Sequence, residues 1–239
     1  MDAGYFRSAT GLWKVKGLTR FYFGREGDVP VSGDYDGDGT TEPAYFRATG
    51  NLWKIYGITS FYFGKAGDVP VPGDYDGDST VEAWIWRPSQ GMWKMRGLTL
   101  LYFGREGDEP VRGDYAGTGE SLPAVYRSRN RLWIVRELTR FYFGQDGDRP
   151  APGDYDGDGR AEAGVYRPCA GFWKVRGVTL HYFGSCLDHW LPGDYAGDGT
   201  ACPAYFRPPV GLWKILGQTR FYFGREGDIP LSRTGPQGP

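Results

Sequence analysis

Three aspartates and a glutamate, Asp34, Asp36, Asp38 and Glu42, crowd into the stretch G-D-Y-D-G-D-G-T-T-E that begins at Gly33. Alternation with Tyr35 and Gly37 sets the aspartates at positions 1, 3 and 5 of a tight loop, the opening pattern of an EF-hand-like calcium loop. The closing acid stands at position 9 rather than 12, so the loop is shorter than an EF-hand's, and its flanks read as strands. Four carboxylates so close repel one another unless a hard, oxygen-preferring cation neutralises them, and the glycines let the backbone wrap around it. Thr40, at position 7, joins the ligand set. A solvated acidic turn is the alternative reading.

The stretch returns at 73, 113, 153 and 193, a spacing of 40 residues without insertion. Two of these copies keep the full set: Asp74, Asp76, Asp78, Thr80 and Glu82, then Asp154, Asp156, Asp158, Arg160 and Glu162. The expected cofactor is therefore Ca²⁺ at about three sites. Ala116, Thr118 and Leu122 replace acids in the loop at 113 and leave Asp114, while Ala196 and Cys202 replace two in the loop at 193. Both are expected to bind weakly or not at all.

The bulk properties narrow the function classes. A chain of 239 residues, 40% hydrophobic and 24% charged, suits one globular unit with a proper core. No apolar run is long enough to span a membrane, and M-D-A-G-Y-F-R has neither the basic nor the apolar region of an export signal. Formal net charge is −1; three divalent ions would add six positive charges and bring the loaded chain near +5. With no Lys/Arg run anywhere, nucleic acid is not an expected partner. Cys169, Cys186, Cys202, His181 and His189 do not follow a zinc spacing, and only Cys186, Asp188 and His189 form a local group of metal-ligating types. Arg112-Gly113-Asp114 spells an integrin-binding tripeptide, but in the register of a structured strand end rather than an exposed flexible loop.

Between the acidic loops the chain repeats A-Y-F-R, G-L-W-K-V-K-G and T-R-F-Y-F-G, with the last element recurring at 21, 61, 101, 141, 181 and 221. Glycine, proline and asparagine cut these runs into four short strands per repeat: A (29–35 in the first full copy), B (43–47), C (52–56) and D (60–63). Four antiparallel strands repeated six times predict an all-β, six-bladed β-propeller over residues 1–232, with a disordered tail or linker at 233–239. The chain starts at a strand B, and 227–232 aligns with a strand A, so the predicted ring closes by pairing the last strand with the first blade. Alternation puts Trp13 and Val15 on one face and Lys14 and Lys16 on the other; Phe21 and Phe23 oppose Arg20 and Tyr22. The Trp and Phe series then reads as inter-blade core. Cys169, in a B–C turn, and Cys186, in the D–A connection of the same blade, share a face that Cys202 does not, so a disulfide, if one forms, should join those two.

The residues F-G-x-x-G-D-x-P-V-x-G-D-Y-D-G-D-G-x-x-E-x-A-x-x-R, running over 5–232, resemble the FG-GAP/VCBS-type repeat. That family forms calcium-loaded propellers in integrin α-subunit heads, some fungal lectins and modules of secreted bacterial proteins. The resemblance implies an extracellular binding module whose calcium loops, joining strands A and B, lie opposite a ligand face built from the B–C and D–A connections. Six blades rather than the common seven, and two degraded loops, prevent transfer of the family's ligand residues one by one.

The function expected is non-enzymatic and multivalent recognition of glycans or cell-surface glycoproteins, since six similar clefts gain avidity on a polymer. The candidate ligand residues near the B–C and D–A connections are Arg7, Trp13 and Arg25, then Arg47, Trp53 and Lys65, then Arg207, Trp213 and Arg225. Aromatic faces stack on sugar rings and arginines offer planar donor forks, although the same arginines are placed to pair with acids of the Asp28 type. The alternative is a structural or adhesive assembly module of a larger secreted protein, with self-association. No nucleophile-base pair recurs, which argues against catalysis.

Overall fold

Runs of three or four β-branched and aromatic residues, punctuated by residues that favour turns, form short strands and nothing longer. The computed structural model describes residues 3–18, 20–97, 100–178, 180–218 and 220–231. Its strands pair into six antiparallel four-stranded sheets, so the chain is an all-β six-bladed propeller. In the second blade Asp28–Pro30, Ala44–Arg47, Leu52–Ile55 and Thr59–Tyr62 are hydrogen-bonded in that order. The first blade is completed by the end of the chain: Asp228–Leu231 pairs antiparallel with Gly4–Arg7, matching Gly4 to Leu231 and Arg7 to Asp228. The expected tail at 233–239 lies outside the described residues.

The first strand of each blade is shorter than expected. It ends at Pro30 rather than reaching residue 35, and only a single bridge, Gly33 to Glu42, continues the pairing beneath the acidic loop. Proline has no N–H to donate, and the carboxylates of the loop compete for the backbone donors that a longer ladder would need. Single 3₁₀ turns, such as Ser8–Thr10 and Pro88–Gln90, join the second and third strands in four blades.

Neighbouring blades are joined main chain to main chain at the acidic loops. The Val81 N–H donates to the Asp34 carbonyl of the preceding blade at 2.7 Å, and Ser121 to Asp74, Ala161 to Asp114 and Ala201 to Asp154 repeat the bond at 2.6, 2.7 and 2.5 Å. Wedge-shaped sheets converge in this way at the axis, which makes the first strand of each blade axial. The fourth strand, with its exposed tyrosines, forms the rim.

The core lies between the sheets. Trp13, Trp53, Trp93, Trp133, Trp173 and Trp213 are fully buried, and each indole N–H donates to a main-chain carbonyl ten residues on, such as Phe63 at 3.1 Å and Phe223 at 2.8 Å. That bond lets a large ring be buried without orphaning its polar edge. Between blades Phe23 meets Tyr45 with ring centroids 4.8 Å apart, and Phe223 meets Tyr5 at 4.9 Å, so the seam that closes the ring is packed like the others.

Candidate functional site

At the axial end, each intact loop is wound on its own carboxylates. Asp34 accepts the N–H groups of Gly37 at 2.7 Å and Gly39 at 2.9 Å, and Asp38 accepts both the N–H and the hydroxyl of Thr40. The Tyr35 N–H donates to Glu42 Oε2 at 2.7 Å, drawing the closing acid back over the loop, while the Tyr35 hydroxyl donates to the Val31 carbonyl. Gly37, at φ 78°, turns the chain between the second and third aspartates.

These bonds bring carboxylate oxygens together. Asp74, Asp76, Asp78 and Glu82, and likewise Asp154, Asp156, Asp158 and Glu162, offer oxygens within 4.8 Å of one another; in the first loop the group is Asp34, Asp36 and Glu42. Asp38 falls outside that first group, although its bond to Thr40 is the one that Asp78, inside the second group, makes to Thr80. Burial raises the pKa of Glu42, Glu82 and Glu162, and the neighbouring aspartates push it further up, against the pull of the tyrosine N–H. Oxygen-only donors crowded in this way fit a hard divalent cation, whose charge would offset their repulsion. Thr40 and Thr80 brace the acids through their hydroxyls; at Arg160 only the backbone N–H makes the equivalent bond, to Asp158.

The two degraded loops keep the winding and lose the cluster. Asp114 accepts N–H groups from Ala116, Gly117, Thr118 and Gly119, so its carboxylate serves the turn itself. Burial alone would raise Asp194, but backbone N–H groups from Gly199, Gly197 and Asp198 outweigh it and hold its pKa low. With Asp114 so engaged and Arg112 half-buried, the Arg112-Gly113-Asp114 tripeptide is not presented for adhesion.

The B–C and D–A connections lie at the other end of the blades, and there a row of side chains crosses every sheet. In the second blade it runs Asp28, Arg47, Leu52, Tyr62, in direct cross-strand register. Arg47 Nε and Nη2 grip Asp28 Oδ1 and Oδ2 at 2.7 and 2.8 Å, and the Lys65-type position supplies a further bond in each blade, as when the Arg25 N–H donates to Asp28. The pattern recurs at Arg7 with Asp228, Arg87 with Asp68, Arg127 with Asp108, Arg167 with Asp148 and Arg207 with Asp188. These hydrogen bonds, above all, raise the arginines' pKa values. The fork leaves Nη1 at the outer edge; in the third blade it meets Gln90.

At the end of each row stands a tyrosine open to solvent. Tyr22, Tyr62, Tyr102, Tyr142, Tyr182 and Tyr222 are between 67% and 79% exposed. They are the residues that sequence reasoning missed, although alternation in F-Y-F-G already set Tyr22 opposite the buried Phe face. Trp13, Trp53 and Trp213 require the opposite correction. Buried and bonded to carbonyls, they present no ring face for stacking. Arg7, Arg47 and Arg207 are structural partners of buried acids, half-exposed at most, and Arg25, Lys65 and Arg225 are exposed. Cys186 is joined to Cys169 in a disulfide and Asp188 to Arg207, which removes the proposed group with His189 as a metal site.

No family model and no curated protein matches the sequence. Solved structures match the fold. Virginiamycin B lyase from Staphylococcus aureus, in its catalytically inactive H270A form with quinupristin, superposes with a TM-score of 0.56 at 9% identity, covering 93% of this chain and 85% of that one. BBS1N in complex with ARL6DN superposes at 0.54 and 12% identity, covering 83% and 69%. Likeness at this identity shows the fold alone. It nevertheless overturns the exclusion of catalysis, because the same architecture carries a lyase, and a fold does not fix a chemistry. Among the described residues no helix is long and apolar enough to cross a membrane.

Proposed function

We propose that the chain is a multivalent glycan-recognition module of the FG-GAP/VCBS type, acting outside the cell with Ca²⁺ in its three acid-rich loops. The observation that carries this reading is the six-fold row of arginine edge and exposed tyrosine at the face opposite the loops. A phenol ring supplies a stacking surface of modest size, and the guanidinium Nη1 supplies a donor, the pairing of chemistries a sugar ring takes. The arginine is held rigid by its buried aspartate, so little side-chain freedom is lost on binding. The disulfide between Cys169 and Cys186 fits an oxidising compartment.

A protein partner is the second reading. Exposed tyrosines also anchor protein interfaces, and BBS1N is seen with ARL6DN. A glycan array with the calcium-loaded protein, followed by titration of a monovalent form of any hit, separates the two. Recognition of glycans requires saccharide binding at millimolar concentration or better that weakens as Tyr62, Tyr142 and Tyr222 are changed to Ala. No saccharide binding by the folded protein would remove the glycan reading and leave the protein partner.

A further inference from the structure

The outer strands carry an uneven share of the charge. The third and fourth strands with the turn between them, residues 12–23 in the first blade and the same stretch in each later copy, hold twelve Lys and Arg residues and a single acid, Glu137. Most of the remaining acids stand in the axial loops or beside the six buried arginine forks, so a net charge of −1 conceals a basic outer wall. Cation–π contacts fix where these charges stand. Lys16 Nζ and Lys14 Nζ of the first blade lie 3.7 and 5.2 Å from the ring centres of Phe221 and Phe223, in the fourth strand of the sixth blade. Arg96 and Lys94 of the third blade take the same places over Phe61 and Phe63 of the second, at 3.9 and 5.7 Å. Arg176 and Lys174 of the fifth lie over Phe141 and Phe143 of the fourth, at 4.2 and 5.3 Å.

Each pair bridges a seam between blades as a two-rung ladder, since residues two apart on one strand face stand about 7 Å apart. The ladders occupy alternate seams. In the other three a rung is missing: Tyr56 and Leu216 stand in the place of Lys16, and Ile134 in that of Lys14. None of the six ladder cations is in an ion pair among the described residues, and all but Lys14 are exposed. A ring face holds a cation without neutralising it, and the aliphatic stem lies along the seam, so the charge is fixed in place and still open to an anion.

We propose that these three seams bind an acidic polysaccharide, its sulfate or carboxylate groups seated on the paired cations. The surface is the side wall of the ring, and it adds to the tyrosine row rather than resting on it. Three separate stations around a wall suit a flexible chain of spaced acid groups, not a flat bilayer. The disulfide fits an oxidising compartment, away from nucleic acid.

The test is titration of the full chain with heparin, as the sulfated probe, at a series of salt concentrations. Binding should weaken with salt, because a polyanion releases counterions when it is bound. Lys16→Gln, Arg96→Gln and Arg176→Gln together remove one rung from each ladder. They should weaken binding at least about tenfold and flatten the log–log salt slope by about two, at roughly 0.7 per charge lost. Arg136→Gln removes a charge from the same turn, but from an arginine already engaged by Glu137, and should change affinity less than about twofold. If the triple variant does not fold, Lys94→Gln with Arg96→Gln clears one seam and should weaken binding at least about threefold. Absence of heparin binding, equal binding by the wild type and the folded variants, or tighter binding of a DNA oligonucleotide of equal charge overturns the proposal. So does loss of a neutral glycan, such as dextran, along with heparin in the triple variant, since recognition would then not be by charge. Failure of the tyrosine reading, with no neutral saccharide bound, leaves the heparin result standing.

Discussion

Asp114 shows that the first acid of each loop has a role that does not require a cation, since four backbone N–H groups converge on it in a loop without other ligand acids. Asp36 differs: its oxygen belongs to the carboxylate group and takes only the Asp38 N–H, at 3.2 Å. Asp36→Ala should therefore remove one cation site in calorimetric titration and leave the loop wound. Asp114→Ala should remove no site but cost about 1 kcal/mol of stability, because the turn donors it releases are exposed and water replaces the carboxylate. Equal losses of cation stoichiometry in the two variants would contradict the ligand assignment. Aromatic residues divide in the same way. Trp53→Ala should cost roughly 3–5 kcal/mol in chemical denaturation, as expected for a fully buried ring, whereas Tyr62→Ala should leave stability within about 0.5 kcal/mol and act on ligand binding instead.

At the scale of the element, the turn between the second and third strands is not equally well served by every copy. Gly11 and Gly211 take φ of 66° and 62° there, but Arg131 holds 56° and Asn51 57°. Arg131 carries the cost of a left-handed residue with a side chain, so Arg131→Gly should raise the melting temperature, by a stability gain of about 1 kcal/mol. An unchanged or lower midpoint would show that the arginine side chain contributes more than its backbone costs. The strands themselves were legible because F-Y-F-G and A-Y-F-R alternate cleanly and glycine marks each boundary. The end of the first strand was not, because carboxylates that look like pure ligands also take backbone donors. Nor did the sequence separate Trp53 from Tyr62. Both are aromatic in adjacent strands, and only the bond from Trp53 to the Phe63 carbonyl shows why the larger ring could be buried.

For the whole molecule, closure rests on Asp228–Leu231. A chain ending at Gly227 loses the axial strand of the first blade and the buried aspartate that holds Arg7, so it should aggregate in size-exclusion chromatography, while a chain ending at Leu231 should run and melt as the full chain does. Cation removal acts on the same assembly from the axis. Under the calcium reading, chelation should lower the melting temperature, and returning Ca²⁺ should restore it, because binding to the folded loops alone adds to stability. A midpoint indifferent to chelator would exclude Ca²⁺ as a structural ligand.

The backbone bonds between successive loops make the cations unequal neighbours. Val81, in the second loop, is bonded to the carbonyl of Asp34 in the first, so two acid-rich loops share a main-chain link. The loop with Asp154 reaches them only through the loop of Asp114, which has no cluster of its own. Occupancy should thus follow a two-plus-one scheme, with the first pair filling cooperatively and the third site filling as an isolated one, so that a single-affinity isotherm would be the wrong description of three chemically similar sites.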